Sequence, residues 1–111
     1  MAPVSLWFQR KNTGDFRVDI RLADDVFTIQ VVDNYGTETY TNTFYLETFD
    51  EVMAYVETLC YQVLNDRDND HPYTYFQYTV PNFPSVLMDV RKLRNNTMYD
   101  RFVSAMNFHF L

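Results

Sequence analysis

Two adjoining runs, FRVDIRL (16–22) and VFTIQVV (26–32), alternate apolar and polar residues at a period of two. Phe16, Val18, Ile20 and Leu22 share one face of an extended chain, and Arg17, Asp19 and Arg21 share the other. In the second run Phe27, Ile29 and Val31 form the apolar face. A two-residue loop at Asp24-Asp25 pairs Leu22 with Phe27, Ile20 with Ile29 and Val18 with Val31, so both apolar faces fall on one side. Any other register would turn one strand's hydrophobic set into water. A hairpin that is apolar on one face and charged on the other must then find something to cover the apolar face.

The same face extends in both directions. Upstream, a turn at KNTG pairs Phe8 with Phe16, Leu6 with Val18 and Val4 with Ile20, and Gly14 supplies the positive φ that a short hairpin loop needs. Downstream, DNYGT marks a turn into ETYTNTFYLE, where Tyr40, Phe44 and Leu46 share a face opposite Thr39, Thr41, Thr43 and Tyr45. The period then changes. Phe49, Val52, Val56, Leu59 and Val63 recur at helical spacing, with Met53, Cys60 and Leu64 widening the stripe. Thr48 and Glu51 have the spacing of a capping box, and Asp50 and Glu51 suit the positive end of the helix dipole. YTYFQYTV and SVLMDV read as two more strands joined through PNFP, with Val86, Met88 and Val90 facing inward. Thr97 is placed to cap a last helix over MYDRFVSAM, and NFHFL reads as an aromatic extension. The expected fold is α+β, in the order ββββαββα, with residues 1–111 forming a single two-layer domain.

Charge is laid out unevenly. The formal net charge is −6, but residues 1–21 carry a balance of +2 and residues 91–111 one of +3, leaving −11 between them. Arg67 is the sole basic residue among twelve acidic ones in that middle segment. A surface of that sign repels nucleic-acid phosphates and attracts basic partners. Nine tyrosines accompany ten phenylalanines and one tryptophan, and so many hydroxyls cannot all find partners in a core. Several tyrosines should therefore lie on surfaces that meet other molecules.

Chemistry-bearing patterns are sparse. NDRDNDHPY (65–73) sets Asp66, Asp68 and Asp70 at alternate positions, like the opening of a calcium-binding EF-hand loop. That loop needs glycine at its sixth position and glutamate at its twelfth, and here those positions are His71 and Gln77. The run is better read as a solvated acidic connection between helix and strand. His71 and His109 lack the paired spacing of zinc ligands, so no metal or other cofactor is expected. His109, between Phe108 and Phe110, reads as a surface residue in an extended tail. Cys60, the single cysteine, lies in a helical stripe and reads as a small buried apolar group. The three serines lack the glycine-flanked turn of an activated nucleophile, and no glycine-rich phosphate loop occurs. Nothing here prefigures an enzyme.

An interaction protein is the reading these features favour. Thr37, Thr39, Thr41 and Thr43, continued by Tyr45, form an outward row suited to flat docking or to strand addition, with Tyr73 and Tyr75 as aromatic support. Arg91, Lys92 and Arg94 form a short basic patch, too small for a duplex but fit for an acidic face on a neighbour or a second copy, just as Asp66, Asp68 and Asp70 fit a basic one. The expectation is a non-catalytic subunit or accessory protein of a larger assembly, of the kind small viruses and phages encode. It would bind protein partners or further copies of itself, and neither nucleic acid nor membrane. The alternative is an acidic inhibitor that imitates nucleic-acid charge and blocks a nucleic-acid-binding protein. An N-terminus without a signal-peptide layout and a lone cysteine place the chain in the cytoplasm or in a particle assembled inside the cell.

Overall fold

The Asp24-Asp25 hairpin forms in the register that the alternation requires. In the computed structural model, which describes residues 2–65 and 72–111, Leu22 lies opposite Phe27, Ile20 opposite Ile29 and Val18 opposite Val31. Both loop residues have positive φ, 53° at Asp24 and 62° at Asp25, the geometry of a two-residue turn that matches strand twist. Strands β1 (Val4–Arg10), β2 (Gly14–Ala23), β3 (Val26–Tyr35) and β4 (Glu38–Leu46) make the expected antiparallel meander. The β3–β4 turn is Gly36-Thr37, so Thr37 belongs to the turn and not to the threonine row.

Helix α1 (Phe49–Asn65) starts at the Thr48 cap. The Glu51 amide donates to Thr48 Oγ1 at 3.1 Å, and that hydroxyl donates to the Glu51 carboxylate at 3.0 Å. Strand β5 (Tyr73–Thr79) then returns to pair with the free side of β1, and β6 (Val86–Asp89) pairs with β5. The result is one antiparallel sheet of six strands in the order β4-β3-β2-β1-β5-β6. Val90 faces inward as expected, but within a 3₁₀ segment, Val90–Arg94, that leads into helix α2 (Asn96–Phe110).

Two expectations about α2 are corrected. Its cap is Asn95, whose side chain accepts from the Met98 amide at 3.3 Å, and Thr97 lies inside the helix. NFHFL is not an extension: the helix runs through Phe110, because Phe102, Met106 and Phe110 continue its stripe at a spacing of four. Phe110 meets Phe27 edge-on at 5.4 Å.

Both helices lie on the same face of the sheet. Val52, Val56, Leu59, Cys60 and Val63 of α1 and Phe102, Ala105 and Met106 of α2 bury against Val4, Leu6, Phe8, Val18, Ile20, Ile29 and Phe76. Phe102 packs on Phe76 and Tyr78 of β5, and Tyr55 packs edge-on against Phe44 of β4. Area removed from water at about 25 cal/mol per Å² makes this layer the main stabilising term. One face of the sheet is thereby covered, and the other carries the polar half of every alternation.

Candidate interaction surface

Strand register assembles the uncovered face row by row. Thr41, Val32, Arg17, Trp7, Gln77 and Leu87 lie side by side across all six strands. The next row runs Thr39, Asn34, Asp15, Gln9, Tyr75 and Asp89. Among the described residues no helix packs on this face. Its middle is tied together by hydrogen bonds. Trp7 Nε1 donates to Asp15 at 2.8 Å, Asn34 Nδ2 donates to Asp15 at 2.6 Å, and the Thr39 hydroxyl donates to Asn34 at 2.8 Å. One row further along, Ser5 donates to Asp19 at 2.6 Å while the Arg17 guanidinium grips both carboxylate oxygens of Asp19. Burial opposes ionisation of both aspartates. The bonds from Asn34 and Trp7 outweigh it for Asp15, and those from Arg17 and Ser5 for Asp19, so both carboxyls sit below the usual carboxylate range. A network of this kind holds the face in one shape before any partner arrives.

Around this polar centre stand exposed apolar groups: Tyr45 at 66%, Leu87 at 59% and Tyr75 at 47% of their surface. The two sheet edges differ. Strand β6 has four residues and ends at once in the 3₁₀ segment. Strand β4 has nine, almost all exposed, with no lysine, no proline and no charge between Thr39 and Leu46. Edges usually carry such features to prevent strand addition, and here they are missing.

The sequence-derived candidates divide accordingly. Thr39, Thr41, Thr43 and Tyr45 all stand on the open face of β4, and Tyr75 stands on the same face, four strands away at ~19 Å. Tyr73 does not join them. A bulge in the β1–β5 ladder places Gln9 opposite Tyr75 but Arg10 opposite Tyr73, which turns Tyr73 onto the helix-covered side. The basic run is spent locally in part. Arg91 forms a two-point pair with Asp89, with both contacts at 3.0 Å, and holds that carboxyl down at about 2. Arg94 reaches the Leu64 carbonyl in the last turn of α1 at 3.4 Å, and Lys92 is exposed beside them. Asp66, Asp68 and Asp70 lie outside the described residues.

Several features escaped the sequence reading. Arg10 is only 7% exposed, yet it is fully engaged: it donates to Asp33 at 2.7 Å, to the Asn34 carbonyl at 3.2 Å and to the Tyr73 hydroxyl at 3.0 Å, between the rings of Tyr35 and Tyr73. Its charge gave no hint of burial. His109 is half-buried against Phe110, with its Nε2 enclosed and unpartnered, and not a surface residue. A groove of about 680 Å³ runs between the β5–β6 connection and α2, lined by Phe83, Pro84, Val86 and Phe108. Phe108 lies off the helical stripe, and that displacement is the trace it leaves in the sequence.

Among the described residues, no three His, Cys, Asp or Glu side chains come together as a metal-ligand set. Burial, reinforced by Glu57, pushes the Cys60 thiol up to about 12, far from a thiolate nucleophile. No helix among the described residues is long and apolar enough to cross a membrane. No protein-family model, curated protein or solved structure matches this chain.

Proposed function

We propose that this protein is a non-catalytic protein–protein interaction module, acting as a small subunit or accessory protein of a larger assembly. One observation carries the reading: a sheet with helices on one side presents, on the other, a pre-set polar face that runs out to an edge strand with no charge, lysine or proline from Thr39 to Leu46. Thr39, Thr41, Thr43 and Tyr45 belong to both surfaces at once, so a partner strand on β4 would also reach the open face. Aromatic residues and flat polar groups around a rigid centre are what protein interfaces use.

The alternative, an acidic imitation of nucleic acid, draws less support. Asp24, Asp25, Glu47, Asp50 and Glu51 gather at the end of the sheet where β2 turns and α1 begins, whereas Asp33 and Glu38 lie at the opposite end. Among the described residues, these seven carboxylates divide between two ends of the sheet, a poor likeness of a continuous backbone.

The test is affinity capture from the native source with the wild-type chain and with a Thr41→Lys/Thr43→Lys variant, each identified partner then being bound in purified form. The reading expects the partner to be lost or weakened at least about tenfold by the variant, with little dependence of wild-type affinity on salt. A partner bound equally by both forms, or one whose affinity collapses with ionic strength, would count against it.

A further inference from the structure

The residues of β4 nearest Asn42 read alike in both directions: Thr41 and Thr43, then Tyr40 and Phe44. An antiparallel strand related by a two-fold axis at Asn42 therefore meets like residues at the two pairs nearest the axis, with Thr39 opposite Tyr45 further out. Thr41 falls opposite Thr43 on the open face. Tyr40 falls opposite Phe44 on the helix-covered face. Both positions of a pair have the same parity, so the two copies keep their helices on the same side and the uncovered faces join into one.

From this self-complementarity we propose that the occupant of the β4 edge is a second copy of the chain, paired β4 to β4 about Asn42 in a continuous twelve-stranded sheet. The proposal rests on the reading of β4 as an interaction edge and adds the identity of its partner. All nine residues of the strand overlap in this register, and antiparallel pairing over that length supplies about eight main-chain hydrogen bonds. Tyr40 is 59% exposed in the single chain, although its hydroxyl is held by Glu38. In the pair its ring lies beside the partner's Phe44, which already stacks edge-on with Tyr55 at 5.2 Å. Charge agrees with this choice. Two copies of net charge −6 repel, and β4 from Thr39 to Leu46 brings no charge of its own to the contact. Glu38 falls opposite Leu46, which keeps the two Glu38 carboxylates apart.

Sedimentation equilibrium of the full chain at micromolar to millimolar concentration tests this directly. The expected species is a dimer of twice the 13.3 kDa chain mass. Asn42→Lys sets two ammonium groups face to face on the axis and should raise the dissociation constant about tenfold or more at low salt, with an unchanged circular dichroism spectrum showing that the exposed site tolerates lysine. Asn42→Cys should give a covalent dimer on mild oxidation. Tyr45→Cys should not, because its two copies stand ~20 Å apart. A chain that stays monomeric at all concentrations, including one whose β4 accepts a strand of another protein instead, overturns the second copy but leaves the interaction-module reading to its own capture test. A dimer indifferent to Asn42→Lys, or cross-linked through Tyr45→Cys in place of Asn42→Cys, lies elsewhere on the molecule and overturns the proposal equally.

Discussion

Arg10 reaches Asp33 across an intervening strand, with its Nη1 2.7 Å from the Asp33 carboxylate. In that strand Gly14 lies opposite Arg10, at a φ of +115°. A Cβ added at Gly14 would stand 2.4 Å from the Asn34 carbonyl oxygen. Gly14→Ala should therefore cost roughly 2 to 4 kcal/mol, from the clash and the strained φ together. Urea denaturation checks this, and an unchanged midpoint would refute it.

Arg10→Met keeps most of the side-chain length but removes the charge. It loses the bonds to Asp33, Asn34 and Tyr73 and leaves the partly buried Asp33 carboxylate without its ion-pair partner. The expected loss is roughly 2 to 3 kcal/mol by chemical denaturation. Arg91→Met, whose side chain is 82% exposed, should leave the midpoint where it is.

Acid should destabilise the fold through Asp15 and Asp19. Each carboxyl is held below its ordinary value of 3.8, so each contributes stability above that pH and loses it as the pH falls through the lower folded value. Thermal melts between pH 6 and pH 2 should show a decline beginning near pH 4. In Asp19→Asn the starting stability should be lower and the decline shallower. A decline of the same depth in the variant would show that Asp19 plays no part.

Cys60 is 5% exposed and its thiol is pushed up to about 12, mainly by burial. In the native protein it should resist a thiol-reactive dye at neutral pH for hours, then react within minutes in denaturant. Rapid labelling without denaturant would mean that α1 opens readily from the sheet.

The meander was legible because period-two alternation and short turns leave it a single register, as the pairs Leu22–Phe27 and Phe8–Phe16 show. Local rules of that kind do not reach β5, which pairs with β1 across more than sixty residues of chain. The bulge that turns Tyr73 away from Tyr75 arises only in that non-local pairing, and it is what brings Tyr73 to Arg10. The last helix is ambiguous at both ends in the sequence for another reason. Asn95, Asn96 and Thr97 are all competent caps, and Phe108 and Phe110 alternate as a strand would, while Phe102, Met106 and Phe110 continue the helix. For the interaction surface, the threonine row and Tyr45 were visible as a pattern. That β4 could serve as an edge for strand addition was offered by the same row, and the sheet order places it at an edge.

In the proposed function, β4 and the open face beside it meet a partner. Amide hydrogen exchange read by mass spectrometry over residues 38–46, in the free chain and in the captured complex or dimer, tests it most directly. Amides of β4 that point away from β3 should exchange fast in the free chain and slowly when bound, those already paired with β3 being slow in both, with the solvent side of α1 unchanged between the two states. Equal exchange along β4 in both states, with new protection appearing on the helices instead, would contradict it.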